Sequence, residues 1–178
     1  MIRSKGRRWI VWAAVGLQLL ALVLLAASNA AVERYGTEIR LETAPVDPRD
    51  LFYGDYVTLS YEISTLPQSM WRGDTPPKTN ERAYVLLRER GEGDGVFEAV
   101  GVYRGRPSAG AGEAVLPARL DYIWGDQLQL EYGLERYYVP EGTGKALEER
   151  ADSLLVAVKL APWGQVKLSG LVEDKAQD

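Results

Sequence analysis

From Trp9 to Val32 the chain runs 24 residues without a charge. As a helix rising ~1.5 Å per residue, that stretch reaches about 36 Å, enough to cross a ~30 Å hydrocarbon core with some tilt. Trp9 and Trp12 stand where an aromatic belt would lie, Arg3, Lys5, Arg7 and Arg8 precede the stretch, and Glu33 follows it. Basic residues on one flank are retained in the cytoplasm. The expected layout is a cytoplasmic basic tail over 1–8, a transmembrane helix over 9–32 and an extracytoplasmic domain over 33–178. A cleaved signal peptide is the competing reading, since Ser28-Asn29-Ala30 is an acceptable small-x-small site. The apolar run exceeds the usual ~7–15 residue core of such peptides. Either reading exports the domain.

The exported part is large enough for a core of its own, and its residue types exclude much chemistry. Histidine and cysteine are both absent. That removes disulfides, thiol catalysis, the Ser-His-Asp triad and most zinc, copper and haem sites. All 25 acidic residues follow Val32, together with 17 of the 21 basic ones, so the domain carries a net charge of −8. No basic stripe invites nucleic acid. No cofactor, metal or catalytic residue is expected.

Two segments match at an offset of 71 residues. Asp50-Leu-Phe-Tyr-Gly54-Asp55-Tyr-Val-Thr-Leu59-Ser-Tyr61-Glu-Ile63 aligns with Asp121-Tyr-Ile-Trp-Gly125-Asp126-Gln-Leu-Gln-Leu130-Glu-Tyr132-Gly-Leu134. The match resumes where 83–88 meets 154–159 and, after a turn shorter by two, where 97–102 meets 166–171. The domain is expected to hold two related β-units, about 37–104 and about 115–174. In each, Gly54-Asp55 or Gly125-Asp126 supplies a structural turn, because Gly tolerates positive φ and Asp bonds nearby backbone N–H groups. A strand of period two then aims Val57, Leu59, Tyr61 and Ile63, or Leu128, Leu130, Tyr132 and Leu134, at the core.

Two hairpins close the units, one around 91–95 and one around 161–164. The Pro-rich link 64–81 reads as an exposed loop, with Trp71 exposed, and 145–151 as a short helix capped near Thr143. The fold class is mainly β: one N-terminal transmembrane helix, then a β-rich barrel or sandwich with one short helix.

The densest polar cluster is Asp47, Arg49, Asp50, Asp55 and Tyr56. Its aspartates suit turn capping as well as they suit a binding or partner surface. Asp47-Pro48-Arg49 and Tyr56 occur only in the first half, which favours a function for them. Glu141 and Lys145 are further surface candidates. Glu141-Gly-Thr-Gly-Lys145 lacks phosphate-loop spacing, because Ala146 follows the lysine. The run Pro48, Leu51, Gly54-Asp55-Tyr56-Val57 after a membrane helix is similar to the nucleophile region of membrane signal peptidases. The serine of that pattern would fall at Val46, and no serine lies between Ser28 and Ser60.

Gly54-Asp55-Tyr56-Val57-Thr58-Leu59-Ser60-Tyr61 spells GDYxxLxY and resembles the signature of the bacterial GDYXXLXY protein family. Val46-Asp-Pro-Arg-Asp50 and Arg136-Tyr-Tyr-Val-Pro-Glu141-Gly-Thr-Gly144 fit the same pattern. The resemblance implies no established activity. It implies a multi-spanning membrane protein as partner, while the apolar stretch adds the lipid bilayer and the acidic domain leaves out nucleic acid. The leading expectation is a non-enzymatic subunit of a complex in the bacterial cytoplasmic membrane. A ligand-binding or sensor module at the membrane surface is the second reading, and an envelope hydrolase the third.

Overall fold

Helix α1 (Arg3–Tyr35) opens the computed structural model, which describes residues 3–44, 56–91, 93–138 and 154–173. The most apolar 18-residue window of Arg8–Tyr35 has a mean hydropathy of 2.5 and is unburied, whereas Val32 at the helix end is buried against the domain. The length and composition of the helix suit either a membrane span or a signal sequence. The helix ends where the Gly36 N–H donates to Val32 O at 2.8 Å. A Cβ on Gly36 would lie 2.5 Å from that same oxygen, so the chain can turn into the first strand only with glycine there.

Among the described residues eleven strands follow: β1 (Thr37–Ala44), β2 (Tyr56–Thr58), β3 (Ser60–Tyr61), β4 (Thr65–Pro67), β5 (Arg82–Glu89), β6 (Phe97–Tyr103), β7 (Glu113–Trp124), β8 (Gln127–Glu131), β9 (Arg136–Tyr138), β10 (Leu154–Leu160) and β11 (Val166–Glu173). One sheet has the order β11-β10-β1-β3, and β2 pairs with β9 beside it. Only Leu59 separates β2 from β3, and its N–H donates to Glu135 O at 2.7 Å, which carries the β9 pairing forward. The other sheet has the order β4-β8-β7-β5-β6. All ladders between these strands are antiparallel. One of the two sheets curls into a half-barrel, so the architecture lies between the barrel and the sandwich that the sequence left open.

The two sheets repeat each other's register. Tyr56, Val57 and Thr58 face Tyr138, Tyr137 and Arg136. Gln127, Leu128 and Gln129, each 71 residues later, face Pro67, Leu66 and Thr65, each 71 residues earlier. The hairpins agree as well. In β5–β6 the pairing slips between Leu86 and Leu87, skipping Val100. In β10–β11 it slips between Ala157 and Val158, skipping Ser169. These bulges occupy matching places, and a bulge increases strand twist and bends the sheet. β1 pairs with β10 as β7 pairs with β5, so each long strand takes its partner hairpin from the other half of the chain.

Both halves fill one core. Ile39 and Leu41 from β1, Leu59, Tyr61 and Ile63, Leu116 and Leu120 from β7, and Leu128, Leu130, Tyr132 and Leu134 are all buried in it. Among the described side chains, the expected core faces hold at Leu59, Tyr61 and Ile63 and at Leu128, Leu130, Tyr132 and Leu134, with Ile63 carried on the 3-10 turn Glu62–Ser64 after β3. The link 64–81 differs from the expected exposed loop. Thr65–Pro67 forms β4 along the edge of β8, and Trp71 bridges to Val102 and packs partly buried on the core. The strand edge of β8 needs a partner, and three residues are too few to show a period. The expected helix over 145–151 lies outside the described residues.

A groove beside the signature strand

β2 and β9 decide where the candidate residues meet. Tyr56 lies directly opposite Tyr138. Asp55 is bonded to Tyr56, and Val139 to Tyr138. The segment carrying Asp47, Arg49, Asp50, Gly54 and Asp55 and the segment carrying Glu141 and Lys145 thus join the described fold at one point, though they are far apart in sequence. Those seven residues themselves lie outside the described residues. Of the turn residues, Gly125 has a φ of +59°, which L side chains rarely adopt. Asp126 O accepts the Gln68 N–H at 2.8 Å, joining that turn to the residue after β4.

From Thr58, Leu59 and Ser60 an open groove of about 780 Å³ runs across to β7 and β8. Arg119, Asp121, Tyr122, Glu131 and Glu135 give it an amphoteric floor. Arg119 pairs with Glu131 across the β7–β8 ladder. Glu135 is fixed by two backbone donors, Tyr132 N–H at 2.5 Å and Gly133 N–H at 3.2 Å. Tyr122 stays half exposed. The groove holds hydrogen-bonding groups of both signs at modest exposure, which suits recognition of a polar peptide or a headgroup. Among the described residues, no group of three or more acidic side chains could hold a metal ion.

Residues 18–171 match the family model described as GDYXXLXY protein. The chain belongs to the GDYXXLXY family. No curated protein and no solved structure matches it significantly. The described part of the family's namesake motif, 56–61, accordingly runs along β2 and β3 of this member, with its Thr58 and Ser60 on the groove and its Leu59 and Tyr61 in the core. The motif's last tyrosine is structural, because the Tyr61 hydroxyl donates to Leu134 O at 2.7 Å inside the core.

Sequence reasoning missed Arg119, Tyr122, Glu131 and Glu135. The signal was present in part, since Arg119 and Glu131 flank the Gly125-Asp126 turn nearly symmetrically, as cross-strand partners do. Tyr137 of β9 packs partly buried against the core.

Proposed function

We propose that this GDYXXLXY protein is a single-pass, non-enzymatic subunit of a bacterial envelope complex. Its domain, a pair of duplicated β-units outside the cytoplasmic membrane, docks on a multi-spanning partner. The observation that carries this reading is the open groove that the paired Thr58 and Arg136 of β2 and β9 line together with Arg119, Tyr122 and Glu131. The groove belongs to a domain joined to an apolar helix by a single glycine. The matching registers of the two halves support the duplication. The test is a photo-crosslinking residue at Ser60 or Tyr122, irradiated in native membranes. A discrete adduct with a multi-spanning protein is expected, and no adduct from either site would contradict docking through the groove.

A groove of this volume also has room for a small ligand, which supports the sensor reading. A ligand that binds only the folded domain raises its melting temperature in the absence of any partner.

A further inference from the structure

The hairpin β10–β11 runs back along α1. Glu33 near the helix end pairs with Lys159 of β10 and, at 3.1 Å, with Lys167 of β11. Closer to the turn, Gln165 reaches lower on the helix: Ser28 Oγ donates to Gln165 Oε1 at 3.5 Å, and Gln165 Nε2 donates to Asn29 Oδ1 at 3.5 Å. Going from Glu33 to Ser28 descends ~7 Å along the helix, into the uncharged stretch. The turn Ala161-Pro162-Trp163-Gly164 therefore sits level with residues that belong to the membrane. At that level Trp163 is 51% exposed, with its indole N–H donating to Gln165 Oε1 at 3.2 Å. Beside it, Arg106 Nη2 donates to Pro162 O at 2.7 Å, and the side chain stays exposed.

We infer that this turn, with Trp163 and Arg106, is a second membrane contact that seats the domain on the bilayer leaflet from which α1 emerges. An indole prefers the headgroup level, where its ring is in an apolar setting and its N–H stays bonded. A neighbouring guanidinium suits lipid phosphate, its stem lying along apolar surface. The matching turn of the other half makes the contrast. Gly91, Gly93, Asp94 and Gly95 close β5–β6, and Asp94 O accepts from Arg40 on β1 rather than meeting the helix. That turn has no aromatic residue. Two hairpins with the same bulge differ in the feature that a bilayer would require of only one. Two points of attachment would stop the domain from rotating about α1 and fix which way the groove faces.

The inference rests on α1 being a retained membrane anchor, and the test separates the two. The chain has no cysteine, so nitroxide labels can be placed singly at Leu20→Cys, Pro162→Cys and Trp124→Cys. The full-length protein is reconstituted in vesicles of equal parts phosphatidylcholine and phosphatidylglycerol. Collision rates with oxygen and with a water-soluble nickel complex are then compared. The label at 20 should strongly favour oxygen. The label at 162 should favour oxygen over nickel several-fold more than the label at 124, which lies at the far end of β7. Adding Trp163→Ala and Arg106→Ala should remove most of that difference. A label at 162 as open to nickel as the label at 124, with 20 buried, would overturn the contact alone. A water-exposed label at 20 would overturn the anchor and the contact together.

Discussion

Tyr61 and Tyr132 meet edge to face in the core, ring centroids 6.3 Å apart and planes at 86°, and each bonds to the other's half. Tyr61 Oη donates to Leu134 O at 2.7 Å, and Tyr132 Oη donates to Ile63 O at 2.5 Å. Each tyrosine satisfies the carbonyl two residues beyond its counterpart. The relationship locks the halves by polar bonds as well as by packing. Removing a hydroxyl leaves a buried carbonyl without its donor, at a cost of about 1–3 kcal/mol. Tyr61→Phe and Tyr132→Phe should each lower stability by that amount in denaturant unfolding of the detergent-solubilised protein. Burial and, secondarily, the charge of Glu135 raise both phenols above the ordinary tyrosine value of 10.0. Their contribution is therefore complete below pH 10 and declines as pH rises beyond it. Each Phe variant should lose less stability than the wild type on that alkaline limb.

Gly125 turns β7 into β8 at a φ of +59°. A β-branched residue there would be strained by ~1–2 kcal/mol. Gly125→Val should lower the melting temperature, and Gly54→Val, its counterpart by sequence, should do the same. Unchanged melting of Gly54→Val would show that the two turns differ.

Acid and neutral pH should weigh on different carboxylates. Gly110 N–H at 2.8 Å and Arg88 at 2.9 Å hold the Glu113 carboxyl below its ordinary value of 4.5. Its stabilisation is present above pH 4.5 and lost as pH falls through the lowered value. Glu62 behaves in the opposite way. Burial and then the nearby Glu42 charge raise its carboxyl, so its favourable state exists below pH 4.5 and is lost as pH rises through the raised value. Glu113→Gln should therefore flatten the acid limb of a melting-temperature profile. Glu62→Gln should raise the melting temperature at pH 7 and change little at pH 4.

Arg104 holds the link before β5. It pairs with Glu81 at 3.0 Å, donates to Pro76 O at 3.2 Å and to Thr75 Oγ1, and lies 5.6 Å from the Trp71 ring centroid. Trp71 in turn donates from Nε1 to Thr75 O at 2.8 Å. Because these groups are partly exposed, the loss in Arg104→Ala should be modest globally, about 1 kcal/mol. Amide exchange across 71–81 should accelerate far more than exchange in β5.

The parts of the fold written as long patterns were legible in the sequence. The uncharged stretch gave the helix, and the period-two runs gave the core faces of Leu59 and Tyr61 and of Leu130 and Tyr132. The loop and turn residues gave both hairpins. Long-range pairing was not legible. Nothing local in β1 says that it joins β10 of the other half, and β4 and β9, three residues each, carry no period. The groove escaped for the same reason, since Ser60 and Tyr122 come to line one groove only through the long-range packing of β3 beside β7 and β8. The candidate cluster was legible as composition, and the fold adds that its two segments start from facing residues.

Affinity purification of the tagged full-length protein from its own membranes in mild detergent, with mass spectrometry of what accompanies it, tests the docking account most directly. A multi-spanning protein should come along in stoichiometric amount, and Arg49→Ala or Tyr56→Ala should release it while leaving the melting temperature unchanged. A clean, folded protein without a companion, or variants that keep the companion intact, would contradict the account.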